Sequence, residues 1–71
     1  MKLSDYLFIH GIDQNKLEPV IGQAVRDQYP MIKNLTDYKA IRWVNFLDLE
    51  EKDLNNLIIR IAKYTRLWIF S

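Results

Sequence analysis

The chain of 71 residues contains no cysteine, one histidine and two glycines. Without cysteine, neither a disulfide nor a thiolate-bound zinc ion can form. His10 cannot make a histidine-rich metal site by itself, and two glycines are too few for the glycine-rich loops that bind phosphate. Ser4 and Ser71 lie outside any Gly-x-Ser-x-Gly pattern. We therefore expect no metal, no cofactor, no small-molecule substrate and no catalytic site.

The sequence also lacks an excess of charge and a long apolar run. Ten Lys and Arg residues nearly balance nine Asp and Glu residues, so the net charge is +1. The longest uninterrupted apolar run is residues 67–70, and Asp5 falls where a signal peptide would continue apolar. We therefore expect no membrane-spanning segment. The absence of cysteine is compatible with a cytoplasmic protein, which we expect here.

The composition favours one small folded domain. Apolar residues make up 49% of the chain and aromatic residues 13%, which argues against disorder. We expect a single helical domain over residues 1–71. A core in a chain of this size rarely contributes more than about 3–5 kcal/mol, and disulfides or metal ions are common supplements. With those excluded, association with another chain remains, although unusually good helix packing would also suffice.

Four amphipathic segments predict an all-α fold, a small compact bundle of three to four helices in which the last helix is longest. The first segment covers about residues 5–10. Ser4 is its expected N-cap. Gly11 suits the left-handed residue that follows a helix, and Ile12 is placed for the apolar contact that accompanies this cap.

The second segment covers about residues 16–28, with Asn15 as its expected N-cap. Pro19 must lie in the first turn, because a proline deeper in the helix costs about 3 kcal/mol. Pro30 ends this segment and begins a connector with one short turn of helix. Three connector residues are expected to pack inward: Met31, Ile32 and Leu35.

Part of the second segment is similar in spacing to a stretch of the small theta subunit of bacterial replicative DNA polymerase. The similar positions are Pro19-Val20-Ile21, Ala24-Val25 and Pro30. The similarity covers 12 of the 71 residues, and the surrounding sequence does not follow it. No function, partner or site residue is inferred from it.

The third segment covers about residues 37–47, with Thr36 as its N-cap. Apolar residues cover most of its circumference, which is typical of a centrally buried helix. The stretch is also rich in residues that favour strands. The alternative fold is therefore a small α+β domain, in which residues 40–47 and 66–70 form strands beside a helix.

The fourth segment covers residues 48–70, with Asp48 as its expected N-cap and Glu51 three residues later. Acidic residues cluster at its beginning and basic residues follow, which complements the helix dipole. One apolar face repeats at helical spacing: Leu54, Leu57, Ile58, Ile61, Tyr64 and Trp68.

Apolar residues left over from this face provide the main indication of function. Ile59 and Phe70 fall on the opposite side of the last helix, and Trp68 lies close to the C-terminus. Aromatic residues are typical anchors of protein interfaces. We therefore predict a partner surface centred on Ile59, Trp68 and Phe70, with Trp43 as a further member. The alternative is that these residues belong to the protein's own core.

Three basic residues, Arg60, Lys63 and Arg66, would form the rim of this surface. The sequence thus predicts a non-catalytic interaction module, either an accessory subunit, adaptor or inhibitor of a larger protein, or a self-associating protein. The alternative function is nucleic-acid binding or transcription regulation, in which the same three bases form a phosphate-binding strip. The acidic beginning of the helix and the nearly balanced charge favour the first prediction.

Overall fold

The computed structural model describes residues 1–70 of the chain, and the side chains of residues 1–66. Over these residues the chain forms four α-helices: α1 (Leu3–Ile9), α2 (Glu18–Gln28), α3 (Asp37–Asn45) and α4 (Glu51–Phe70). One 3₁₀ turn, Pro30–Ile32, lies between α2 and α3. The predicted all-α bundle is confirmed. The α+β alternative is wrong, since residues 1–70 contain no strand.

Helix α1 begins earlier than predicted. It starts at Leu3 rather than at residue 5, so Ser4 lies inside the helix and does not cap it. Met1, which precedes the helix, is held by the loop between α3 and α4, because the Leu49 N–H donates to the Met1 carbonyl over 3.0 Å. This tertiary contact fixes where the chain enters the helix, and it overrides the local capping preference of serine.

The end of α1 is as predicted. Gly11 has a φ of +69°, in the left-handed region that glycine occupies without steric cost. The Gly11 N–H donates to the Phe8 carbonyl (3.1 Å), and the Ile12 N–H donates to the Leu7 carbonyl (2.9 Å). These two bonds are those of a Schellman motif. The Ile12 side chain packs against the core, as this motif requires.

Helix α2 begins at Glu18, which places Pro19 in the first turn as predicted. Asn15 does not cap the helix. Its backbone N–H instead donates to the Asp13 carboxylate over 2.9 Å, which closes a local turn before the helix. Proline explains the later start, because its fixed φ suits the first turn and its missing N–H is not needed there.

The connector after α2 contains the predicted turn of helix at Pro30. Ile32 is buried and Leu35 packs against the core. Met31 is 78% exposed, so the prediction that it packs inward is wrong. After the 3₁₀ turn the Leu35 N–H donates to the Ile32 carbonyl (3.0 Å), and residues three apart in such a bonded turn lie on one side. Ile32 and Leu35 therefore share the buried side, and Met31 points elsewhere.

Helix α3 begins after Thr36, whose hydroxyl accepts a hydrogen bond from the Lys39 N–H (3.3 Å), as predicted. Helix α4 begins at Glu51, so Asp48 is not its N-cap. The Asp48 carboxylate instead accepts a hydrogen bond from the N-terminal ammonium group over 2.8 Å. This contact lowers the pKa of Asp48 below its usual value. The Asp48 carboxylate therefore binds the N-terminal ammonium group instead of the free N–H groups at the beginning of α4.

The core is built around α2, which packs against both α3 and α4. Helix α3, which the sequence predicted to be central, has buried and exposed apolar residues on different sides. The apolar face of α4 is as predicted over residues 54–64. The buried core residues are Leu3, Leu7, Val20, Ile21, Ala24, Val25, Ile32, Ala40, Ile41, Val44, Leu49, Leu54, Leu57 and Ile61.

Helices α2 and α3 run in opposite directions and come very close at one point. A Cβ atom on Gly22 would lie 2.7 Å from both Cα and Cβ of Asp37, so only glycine fits there. The neighbouring Arg26 donates a hydrogen bond to the Asp37 carboxylate over 2.5 Å. Glycine thus allows the helix approach, and the partly buried ion pair fixes the register between the two helices.

Candidate interaction surfaces

The outer face of α4 carries part of the predicted partner surface. Ile59 is 65% exposed, on the side of the helix opposite the core. Together with Ala62, Lys63 and Arg66 it lines a shallow depression of about 440 Å³. Positions three, four and seven residues apart share one face of a helix, which explains why these side chains meet. We call these four residues the α4 face.

The other predicted members lie elsewhere. Trp43 is half-buried, and its ring packs edge-on against Tyr29 with a centroid distance of 5.2 Å. It therefore contributes to the packing between α3 and the end of α2, apart from the α4 face. The side chains of Trp68 and Phe70 lie outside the described residues, so their place in a partner surface stays a prediction.

The predicted basic rim is accessible. All three basic residues, Arg60, Lys63 and Arg66, are exposed. Lys63 and Arg66 belong to the α4 face, whereas Arg60 lies on the adjoining side of the helix. Within the part of the chain that the structure describes, ion pairs form only between the N-terminus and Asp48 and between Arg26 and Asp37. The three bases of α4 therefore take no part in an ion pair there.

A larger cleft, which the sequence did not predict, is lined by residues of α1, the α1–α2 loop, the beginning of α2, and α3 with Phe46 at its end. It has a volume of about 630 Å³ and runs between α3 on one side and α1 with the α1–α2 loop on the other. Three aromatic side chains in it are highly exposed: Phe8 (84%), Phe46 (72%) and Tyr38 (60%). We call this the aromatic cleft. Exposed aromatic rings gathered at one place are unusual on the surface of a monomeric domain.

Two contacts fix how the two walls of the aromatic cleft are aligned along its length. The Asn45 amide donates to the Gln14 side-chain oxygen over 3.1 Å at one level. Gly22 touches Asp37 at another level. Glu18 lies midway between Gln14 and Gly22, and Ile41 lies midway between Asn45 and Asp37. Glu18 is therefore level with Ile41 across the cleft.

Charges of both signs border the aromatic cleft. Arg42 lies on the α3 wall. The other wall carries Lys2, which precedes α1, Asp13 in the α1–α2 loop, and Glu18, the first residue of α2. The cleft thus combines exposed aromatic rings with charges of both signs, as many protein interfaces do.

The signal for this cleft was present in the sequence. Apolar residues surround α3, and Phe8 falls on the side of α1 opposite the buried Leu3 and Leu7. Surplus apolar residues on α4 centred the prediction on that helix, with Trp43 as the one member from α3. The same reasoning applied to α1 and α3 identifies Phe8, Tyr38 and Phe46 as surplus, but their convergence depends on tertiary packing.

Other chemical groups in the described residues are dispersed. His10 is exposed and its ring lies against Tyr6, with a centroid distance of 4.3 Å. Over the same residues, no three His, Asp or Glu side chains are grouped closely enough to hold a metal ion. No helix of the described chain has both the length and the hydropathy that crossing a bilayer requires.

In comparisons with known proteins, no family model, no curated protein and no solved structure matches this chain.

Proposed function

We propose that the protein is a non-catalytic interaction module that binds another protein chain through the aromatic cleft. The observation that carries this proposal is the convergence of Phe8, Tyr38 and Phe46, each well exposed, on one cleft. The module would serve as an accessory subunit, adaptor or inhibitor, and the absence of cysteine supports a role in the cytoplasm.

The chemistry of the cleft favours a protein partner. Phe and Tyr rings bury a large apolar area on binding, and Tyr and Arg are enriched among the residues that dominate binding energy. Phe8 and Phe46 are the two most exposed aromatic rings of the described chain. Each contributes little to the protein's own core, so selection for binding explains their presence better than selection for stability.

The test compares two variants that remove exposed apolar side chains at different places. In Phe8→Ser/Phe46→Ser the aromatic cleft loses two rings, and in Met31→Ser a comparably exposed residue changes outside both surfaces. Proteins captured from the source lysate are purified, and affinity is measured by calorimetry. We expect the cleft variant to lose at least about 30-fold in affinity, since a hot-spot residue contributes about 2 kcal/mol or more.

The same measurement contradicts the proposal if the cleft variant binds as well as the unsubstituted protein. An Ile59→Glu variant then locates the interface, because loss of binding there assigns it to the α4 face. Circular dichroism of every variant checks that it is folded. All four substituted positions are largely exposed, so we expect near-native spectra.

A second candidate function is nucleic-acid binding by Arg60, Lys63 and Arg66. The observation in its favour is that these exposed bases take no part in an ion pair within the described residues. Arg60→Ala/Lys63→Ala should flatten the dependence of affinity on salt, because fewer counterions are released. Lys33→Ala/Lys39→Ala removes the same charge elsewhere and serves as control. No binding of the unsubstituted protein at low salt would eliminate this function.

A further inference from the structure

We propose that the occupant of the aromatic cleft is a second copy of this chain, related by a two-fold axis that runs along the cleft. This inference rests on the proposed function, since it identifies the partner at the same surface. Three features of the molecule favour this occupant: the signs of the rim charges, their levels along the cleft, and the contrast with the α4 face.

The rim charges of the cleft are complementary to one another. Lys2 and Arg42 supply two positive charges, and Asp13 and Glu18 supply two negative charges. A charged surface that pairs with itself is favoured when it presents both signs, because a two-fold axis brings residues off the axis against different residues of the other copy. In the aromatic cleft, Arg42 on α3 and Glu18 on the opposite wall supply one charge of each sign.

The levels of these charges fit a two-fold axis parallel to the cleft. Such an axis places the α3 wall of one copy over the α1–α2 wall of the other, with positions along the cleft retained. Glu18 is level with Ile41, and Arg42 is the next residue along α3. Arg42 of each copy therefore faces Glu18 of the other, and the ion pair forms twice.

The same operation also covers the exposed ring on the α1 wall. Phe8 lies on the α1 wall, whereas Tyr38 and Phe46 lie on the α3 wall. In the dimer, Phe8 of each copy is covered by the α3 wall of the other. A stable interface buries about 800 Å² per partner, which is about one sixth of the 5076 Å² surface of this chain. The dimer thus also supplies the association expected of a small domain without disulfides.

The α4 face is unsuited to the same role. Its depression is bordered by Lys63 and Arg66 and by no acidic residue. A second copy placed there would bring like charges together, which opposes association. Of the two exposed apolar surfaces, the aromatic cleft is therefore the self-complementary one.

The test is a reciprocal charge exchange measured by sedimentation equilibrium on the full chain. We expect the unsubstituted protein to dimerise. Arg42→Glu places Glu against Glu18 twice in its own dimer, and Glu18→Lys places Lys against Arg42 twice. Each variant alone should dimerise at least about tenfold more weakly. An equal mixture of the two should regain dimers, because the mixed dimer restores two oppositely charged pairs.

Two further variants keep the test decisive. Glu18 lies at the beginning of α2, where an acidic residue favours the helix, so Glu18→Lys is checked by circular dichroism. If that variant unfolds, Phe8→Ser replaces it and should weaken the dimer by at least about tenfold. Ile59→Glu, on the α4 face, should leave the dimer unchanged.

Three outcomes overturn the inference. The first is a monomer at all concentrations up to about 1 mM, which means that any self-association is weaker than millimolar. The second is a dimer whose charge variants fail to recover on mixing, and the third is a dimer lost in Ile59→Glu. If the unsubstituted protein is a monomer, but its Phe8→Ser/Phe46→Ser variant loses affinity for a different protein, only the second copy is refuted as the occupant of the cleft. The proposed function fails separately, when the cleft variant retains every protein partner.

Discussion

Replacing Gly22 with alanine tests the closest helix contact in the molecule, because two effects of opposite sign compete there. Gly22 lies inside α2, where alanine is favoured over glycine by about 1 kcal/mol. Against this, the new Cβ would lie 2.7 Å from the Asp37 Cα and 2.5 Å from the Asp37 carboxylate. Carbon atoms in normal contact are about 3.5–4.0 Å apart, so α2 and α3 must separate by roughly 1 Å.

The steric effect should be the larger one. Overpacking at a tight contact costs about 1–3 kcal/mol. Separation of the helices also disturbs the hydrogen bond between Arg26 and Asp37, and a hydrogen bond to a charged group contributes about 1.5–3 kcal/mol. Subtracting the helix-propensity gain leaves a net loss of about 2 kcal/mol or more. For a domain of this size, that lowers Tm by about 8–16 °C.

The measurement is urea and thermal unfolding of Gly22→Ala, followed by circular dichroism and tryptophan fluorescence. Asn56→Ala, on the exposed side of α4, gains helix propensity without a steric contact and should be neutral or slightly stabilising. A Gly22→Ala variant as stable as the unsubstituted protein would mean that α2 and α3 do not approach this closely. The alignment of Glu18 with Ile41 would then lose one of its two supports.

Further predictions concern the core and two titrating groups. Leu57→Ala removes a fully buried side chain and should lower the free energy of unfolding by about 2–5 kcal/mol, whereas Ile59→Ala should change it by less than about 0.5 kcal/mol, both measured by urea unfolding. The hydrogen bond from Tyr64 to the Asp27 carboxylate raises the pKa of Tyr64. This hydrogen bond should stabilise the protein fully below the unfolded pKa of about 10, and the stabilisation should be lost as the pH rises through the higher folded pKa. The free energy of unfolding of Tyr64→Phe should therefore differ from that of the unsubstituted protein more at pH 7 than in alkali. The pKa of Asp48 is lowered by the N-terminal ammonium group, so the stability difference from Asp48→Asn should be present above the unfolded pKa of 3.8 and disappear as the pH falls through the folded value.

Features that depend on neighbouring residues alone were predicted correctly. The apolar face of α4, the left-handed Gly11, the helical turn at Pro30 and the Thr36 cap all follow from backbone preferences or from helical spacing. Each has a physical cause within about four residues of sequence, such as the fixed φ of proline. These signals were sufficient for the all-α fold.

Helix beginnings were predicted less well, because contacts other than side-chain capping decide them, and some of these contacts are distant in sequence. Ser4, Asn15 and Asp48 all have side chains that favour N-caps, and none of them caps a helix. Asn15 is held through its backbone by Asp13, and Asp48 is held by the N-terminus, which is 47 residues away in sequence. No local pattern contains the second contact.

The two candidate surfaces also differ in how far the sequence alone predicts them. The exposure of Ile59 follows from its position on α4, and the sequence predicted it. The aromatic cleft requires α1 to be placed beside α3, and the single residues Phe8, Tyr38 and Phe46 carry no sign of that placement in the sequence. A surface made by one helix is therefore predictable from periodicity, whereas a surface made by two helices requires their packing.

The two surfaces differ in a way that separates their roles. The aromatic cleft has charges of both signs, whereas the α4 face has only positive ones. A dimer formed through the cleft leaves Lys63 and Arg66 of both copies exposed, so the assembly presents two equivalent basic faces. A partner of the dimer should therefore be acidic, and its association rate should fall as salt is added, because exposed charges steer encounter more than they hold the complex. Dimerisation should depend much less on salt, since its energy comes mainly from the aromatic rings. Measuring both salt dependences on the same protein tests this division, and a dimer that dissociates on added salt as readily as the partner complex would contradict it.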